Sequence, residues 1–222
     1  MKKLLTIAAL LGAASMSFGQ GYVLFANGST SRVSTNSVAN ATGGSTPVLQ
    51  GAIAAGVANY YYALMVAPTT QTTVDSSLTG WTFSSSYGTN TATAGRMLGA
   101  NNSDGAGNLV NGYGTTATAN FVVVGWSANI GTTLAQAQAW WNNGNPNVAS
   151  NGQVYNFGIS GVAVNVALAA SGGPYNNIWG AASSGLIPGM TMGSYMNTIP
   201  EPSTFALAGL GAAALLIFRR RK

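Results

Sequence analysis

The sequence predicts a mainly β fold: an antiparallel β-sandwich with one short helix, followed by a C-terminal transmembrane helix. Three observations carry this expectation. Charged residues make up only 5% of the chain, against roughly 25% in an average soluble domain, and Thr, Ser, Asn and Gly stand where charge usually does. The apolar share of 47% is enough to build a packed core. The apolar residues also fall in short runs rich in aromatic and β-branched types, separated by turn formers, as strands do.

In chain order, residues 1–19 read as a signal peptide. Lys2 and Lys3 give the positive start, and Leu4 to Ala14 the apolar stretch. Ser17 and Gly19 place small residues at −3 and −1, so cleavage is expected before Gln20. The eleven-residue apolar run is too short for a membrane anchor, because about 30 Å of hydrocarbon must be crossed at 1.5 Å per residue. Signal peptidase and the export machinery are the partners that this segment requires.

Residues 20–198 form the expected β-rich extracytoplasmic domain. "YVLFA" (Tyr22–Ala26) and "NYYYALMV" (Asn59–Val66) read as strands, each followed by turn formers. "NFVVVGWS" (Asn120–Ser127) is a continuous apolar run suited to a buried strand. "TTLAQAQAWWNNG" predicts the one helix, with Thr132 or Thr133 as N-cap and Gly144 as its end. "QVYNFGIS" (Gln153–Ser160) is a further strand. Beyond Gly161, "GVAVNVALA" alternates, which puts Val162, Val164, Val166 and Leu168 on one face and Ala163, Asn165 and Ala167 on the other. Thr69 to Ala119 is rich in Ser, Thr, Gly and Asn and is expected to form long loops or polar edge strands.

Residues 199–222 read as a sorting segment. Pro200 and Pro202 force an extended stretch, since each fixes its own φ and disfavours helix in the residue before it. Such a stretch is what a processing enzyme's cleft can hold, with Glu201 as a single charge for recognition. Residues 203–218 follow without a charge and with no polar helical face, and would measure about 24 Å as a helix. Arg219, Arg220, Arg221 and Lys222 snorkel to cover the small deficit and hold this end in the cytoplasm by the positive-inside rule. With the N-terminus exported, the body faces outward.

These three parts in order, Pro200-Glu201-Pro202, an apolar span and a terminal Arg cluster, resemble the PEP-CTERM sorting signal of Gram-negative bacteria. The resemblance implies recognition and cleavage near the motif by exosortase, a membrane-embedded transpeptidase-like enzyme. It implies an inner-membrane intermediate, then a cell-surface or extracellular product, in organisms that make exopolysaccharide. The stretch "QGYVLFAN" also resembles the start of such proteins from Verrucomicrobia-like bacteria.

The net charge of +5 does not signal nucleic-acid binding, because the whole excess lies in the two terminal segments. Between them stand only Arg32, Arg96, Asp75 and Asp104, too few cations to neutralise a run of phosphates. The body has no His, Lys or Cys, so its hydroxyls lack an activating base and no thiolate metal site can form. Asp75 and Asp104 are 29 positions apart in turn-rich sequence and read as turn residues rather than an acid/base pair. "NNSDGAGN" (Asn101–Asn108) has the oxygens and Gly of a calcium loop but only one carboxylate. No enzyme activity, cofactor or metal ion is expected. Five Trp and nine Tyr supply either core or stacking faces for sugar rings. Trp126 is assigned to the core, and Trp81, Trp140, Trp141 and Trp179 are the candidates for glycan stacking. The expectation is an exported surface or extracellular-matrix protein with a structural or adhesive role. The alternative is a glycan-binding module whose partner is exopolysaccharide.

Overall fold

The structure, a computed structural model, describes residues 19–36, 49–52, 59–99, 107–143 and 154–196. The signal peptide (all but Gly19), Asp104 and the whole segment 199–222 lie outside the described residues. Among the described residues, no helix is long and apolar enough to cross a membrane.

Two neighbouring strands form the centre. β4 (Tyr60–Ala67) and β8 (Thr118–Ser127) pair antiparallel in unbroken register from Tyr60↔Ser127 to Ala67↔Asn120. Both are buried on both faces, which is why they read as continuous apolar runs rather than alternating ones. On one face Tyr62, Leu64, Val66, Phe121 and Val123 join the larger core cluster. On the other, Ala63, Met65, Val122, Val124 and Trp126 join a second cluster. Gly125 interrupts the run because a side chain there would meet Met190, Met192 and the Tyr62 ring at about 3 Å.

The large sheet has the order β3-β2-β11-β9-β8-β4-β5-β6, with β10 also on β8. Its other members are β2 (Val33–Asn36), β3 (Leu49–Ala52), β5 (Thr82–Asn90), β6 (Met97–Gly99), β9 (Val154–Ile159), β10 (Ala163–Ala167) and β11 (Met190–Met196). A separate ribbon pairs β1 (Gln20–Leu24) with β7 (Gly107–Gly114). Val23 and Val110 of this ribbon pack into the first core cluster. The second cluster is covered by helix α1 (Leu134–Asn142) through Leu134, Ala137 and Trp140, and by Leu78 and Trp81 of the loop between β4 and β5.

Thus the fold is mainly β with one short helix, as the composition implied, but the sheets are curled. The segment after β1 links the two ends of the large sheet. Gly99 N donates to Phe25 O at 2.7 Å, and Val33 N donates to Gly95 O at 3.0 Å. Buried Asn27 fastens this junction, donating to Ser31 O and Gly95 O and accepting from Met97 N.

The structure departs from the sequence expectations at three places. β11 and β2 run parallel, so the sheet is not wholly antiparallel. The alternation expected in residues 161–169 breaks at Asn165, whose φ of 55° marks a bulge. As a result Ala163 points into the core together with Val166 and Leu168, while Val164 is half-buried. Thr69–Ala119, expected as long loops or polar edge strands, holds β5, β6 and β7, and of these β5 is not an edge strand, since it lies between β4 and β6.

Candidate functional site

The motif residues Pro200, Glu201 and Pro202 and the tail Arg219, Arg220, Arg221 and Lys222 lie outside the described residues. What the structure fixes is where they depart. β11 ends at Met196, so three residues separate the last strand from Pro200. β11 is an interior strand, bonded to β9 along Gly193–Met196 and to β2 along Met190–Met192.

The expected stacking tryptophans divide. Trp81, Trp140 and Trp179 are buried, so of the two readings open to them, core or sugar-stacking face, their position fits the core. Trp81 donates its Nε1 to Thr73 O at 3.1 Å. Trp140 stacks on Tyr155 with ring centroids 6.0 Å apart, and Trp179 joins the larger core cluster. Trp126, assigned to the core from sequence, is fully buried and donates Nε1 to Gly131 O at 2.8 Å. Asn27, which begins an Asn-Gly-Ser glycosylation pattern, is also buried and offers no acceptor for a glycan.

Trp141 is the exception. Adjacent residues on a helix point about 100° apart, so α1 turns Trp140 into the core and leaves Trp141 half-buried at its margin. The helix is held for this by a capping box: Thr133 Oγ1 accepts from Gln136 N, and Gln136 Oε1 accepts from Thr133 N. Leu134 N also donates to Tyr87 Oη at 3.0 Å, tying the first turn to β5. Trp141 stacks on Phe157 of β9 at 4.6 Å and 16°, and meets Tyr195 of β11 edge-on at 5.8 Å and 75°.

These rings form one side of an open cleft of about 260 Å³, whose other side carries Asp75 and Ser76. The loop bearing Asp75 is anchored rather than loose. Buried Asn120 donates to Thr69 O and Gln71 O, and Leu78 and Trp81 are sunk in the second core cluster. Asp75 does the turn-capping work expected of it: its Oδ1 accepts from Thr79 N at 3.0 Å and its carbonyl from Leu78 N. Burial pushes the Tyr195 phenol above its usual value, so it stays a neutral hydroxyl that can donate or accept. Neither Tyr195 nor Phe157 was singled out from sequence, since nothing local marks a ring on a polar strand such as "MTMGSYM".

Residues 198–222 match the PEP-CTERM protein-sorting motif. The match supports an exported chain that is sorted through exosortase and passes through the membrane to the cell surface. No curated protein and no solved structure matches the chain.

Proposed function

We propose that the chain is an exported surface or extracellular-matrix protein with a structural or adhesive role. Its signal peptide, residues 1–19, is removed on export. The span 203–218 then holds it in the inner membrane with Arg219–Lys222 inside, and an exosortase-like enzyme cuts near Pro200–Pro202. The single observation that carries this reading is the motif match over residues 198–222. In sequence the motif begins four positions after Met196, the last residue of β11. The body itself is assigned no catalysis, since its hydroxyls have no His, Lys or Cys to activate them.

Intact mass of the protein from the native cell surface and medium tests this, with Glu201→Ala alongside. The expected mature species lacks both the first nineteen residues and the Arg cluster, and Glu201→Ala accumulates uncut. A mature protein that still carries Arg219–Lys222 would sink the processing step.

A second reading, a glycan-binding module of the exopolysaccharide matrix, is favoured by one observation: the cleft that joins half-buried Trp141 and Tyr195 to Asp75 and Ser76. Retention of the native protein on host exopolysaccharide is its test.

A further inference from the structure

We infer that the cleft bounded by α1, β9, β11 and the Asp75–Ser76 turn is a subsite for one neutral pyranose ring of a polysaccharide. The inference rests on the glycan-binding reading and gives it a place and a ligand class.

Four properties select that ligand. The first is size. Drug-sized pockets take about 300–1,000 Å³, and this cleft of about 260 Å³ suits a single ring with its hydroxyls. The second is the mixture of surfaces: Trp141, Phe157 and Ile159 offer apolar contact to ring C–H groups, while Asp75, Ser76 and Tyr195 stand where hydroxyls need partners. Asp75 Oδ1 is held by Thr79 N, which orients the carboxylate and leaves its second oxygen as an acceptor. The third is charge. The lining holds a carboxylate and no cation, so a uronate or sulfate would be repelled. A quaternary ammonium would need aromatic faces around it, but one face of Trp141 is taken by Phe157 and the cleft is an open trough. The fourth is rigidity. Helix cap, anchored loop and two paired strands fix the lining before any ligand arrives, which lowers the ordering cost of binding.

The native chain is titrated with maltotriose, cellotriose and laminaritriose, reading Trp fluorescence and heat. Tetramethylammonium and glucuronate serve as charged controls. Saturable binding of at least one trisaccharide, about millimolar for so small a contact, is expected. Ser76→Trp, at an exposed position, fills the trough and abolishes it. Trp141→Phe, which keeps an aromatic ring against Phe157, weakens it about fivefold or more. Asp75→Asn preserves the Thr79 cap and weakens it less.

Absence of saturable binding by all three sugars overturns the inference. So does unchanged binding in Ser76→Trp, or saturation by tetramethylammonium in place of sugar. If Ser76→Trp still adheres to host exopolysaccharide as the native chain does, glycan binding lies elsewhere and only this placement fails. If the native chain itself does not adhere, the glycan reading fails with it, and the mass measurement of sorting is untouched by either result.

Discussion

Short polar side chains do inside this protein what charges and caps do elsewhere. Asn120 is fully buried in β8, where its Oδ1 accepts from Asn165 N at 2.7 Å and its Nδ2 donates to Thr69 O and Gln71 O. It therefore supports the bulge in β10 and the loop behind the cleft at once. A similar string crosses three strands: Asn156 N donates to Ser127 Oγ, and Asn156 Nδ2 donates to Ser194 Oγ. Such groups are tolerated in a core because each finds partners there. Removing Asn120 strips Asn165 N, Thr69 O and Gln71 O of the side chain that bonds them. Asn120→Ala should thus cost about 2–3 kcal/mol of stability by urea unfolding. It should also loosen the 69–81 loop, visible as faster amide exchange there. A stability equal to native would mean that the bulge and loop hold without it.

Elements differ in how plainly the sequence announces them, and the reason is which side chains they bury. β4 and β8 are legible because both faces are apolar, so hydrophobicity alone marks them. α1 is legible from its cap, and Thr133 with Gln136 forms the box that the pattern implies. β5 is not, because its inward positions are Ser84, Ser86, Gly88 and Asn90, so its period of two carries no apolar signal. β11 hides for a related reason: Met190, Met192 and Ser194 line its core side, with no β-branched residue among them, and only its neighbours β9 and β2 make it a strand. The cleft was half legible. Trp141 follows from helical geometry, whereas Asp75 and Tyr195 reach it only through the loop anchor and the strand order. Since α1 positions Trp141, its cap can be tested directly. Thr133→Ala should cost about 1 kcal/mol and shift Trp emission toward that of exposed indole. An unchanged spectrum would show that packing by Leu134, Ala137 and Trp140 holds the helix unaided.

Across the whole molecule, charge is nearly absent, and that sets a distinctive pH response. The chain has no His, and the described residues carry only Arg32, Arg96 and Asp75. No side chain has an ordinary titration between about pH 5 and 9, so stability should be nearly flat there. Burial pushes the Tyr60, Tyr62, Tyr113 and Tyr195 phenols upward, with the neighbouring Tyr60 adding to the rise at Tyr62. A raised folded value means that the native state keeps protons the unfolded chain releases. Stability is therefore whole below about pH 10 and falls as pH climbs past it. Chemical melts paired with tyrosinate absorbance check this, and a midpoint that drops near pH 7 would contradict it. The place of β11 gives a second expectation. A chain ended after Thr198 should unfold cooperatively, whereas one ended after Gly189 loses an interior strand and both its ladders and should be molten or insoluble. Equal cooperativity in the two would remove β11 from the folding unit.

That position of β11 also orders events in time. An exported chain emerges N-terminus first, so β2 and β9 wait outside the membrane for a partner still inside the channel. The body can close only when its final strand is through, and by then the address follows three residues behind, within about 14 Å even if fully extended. Closure and presentation of the cutting site become nearly the same moment.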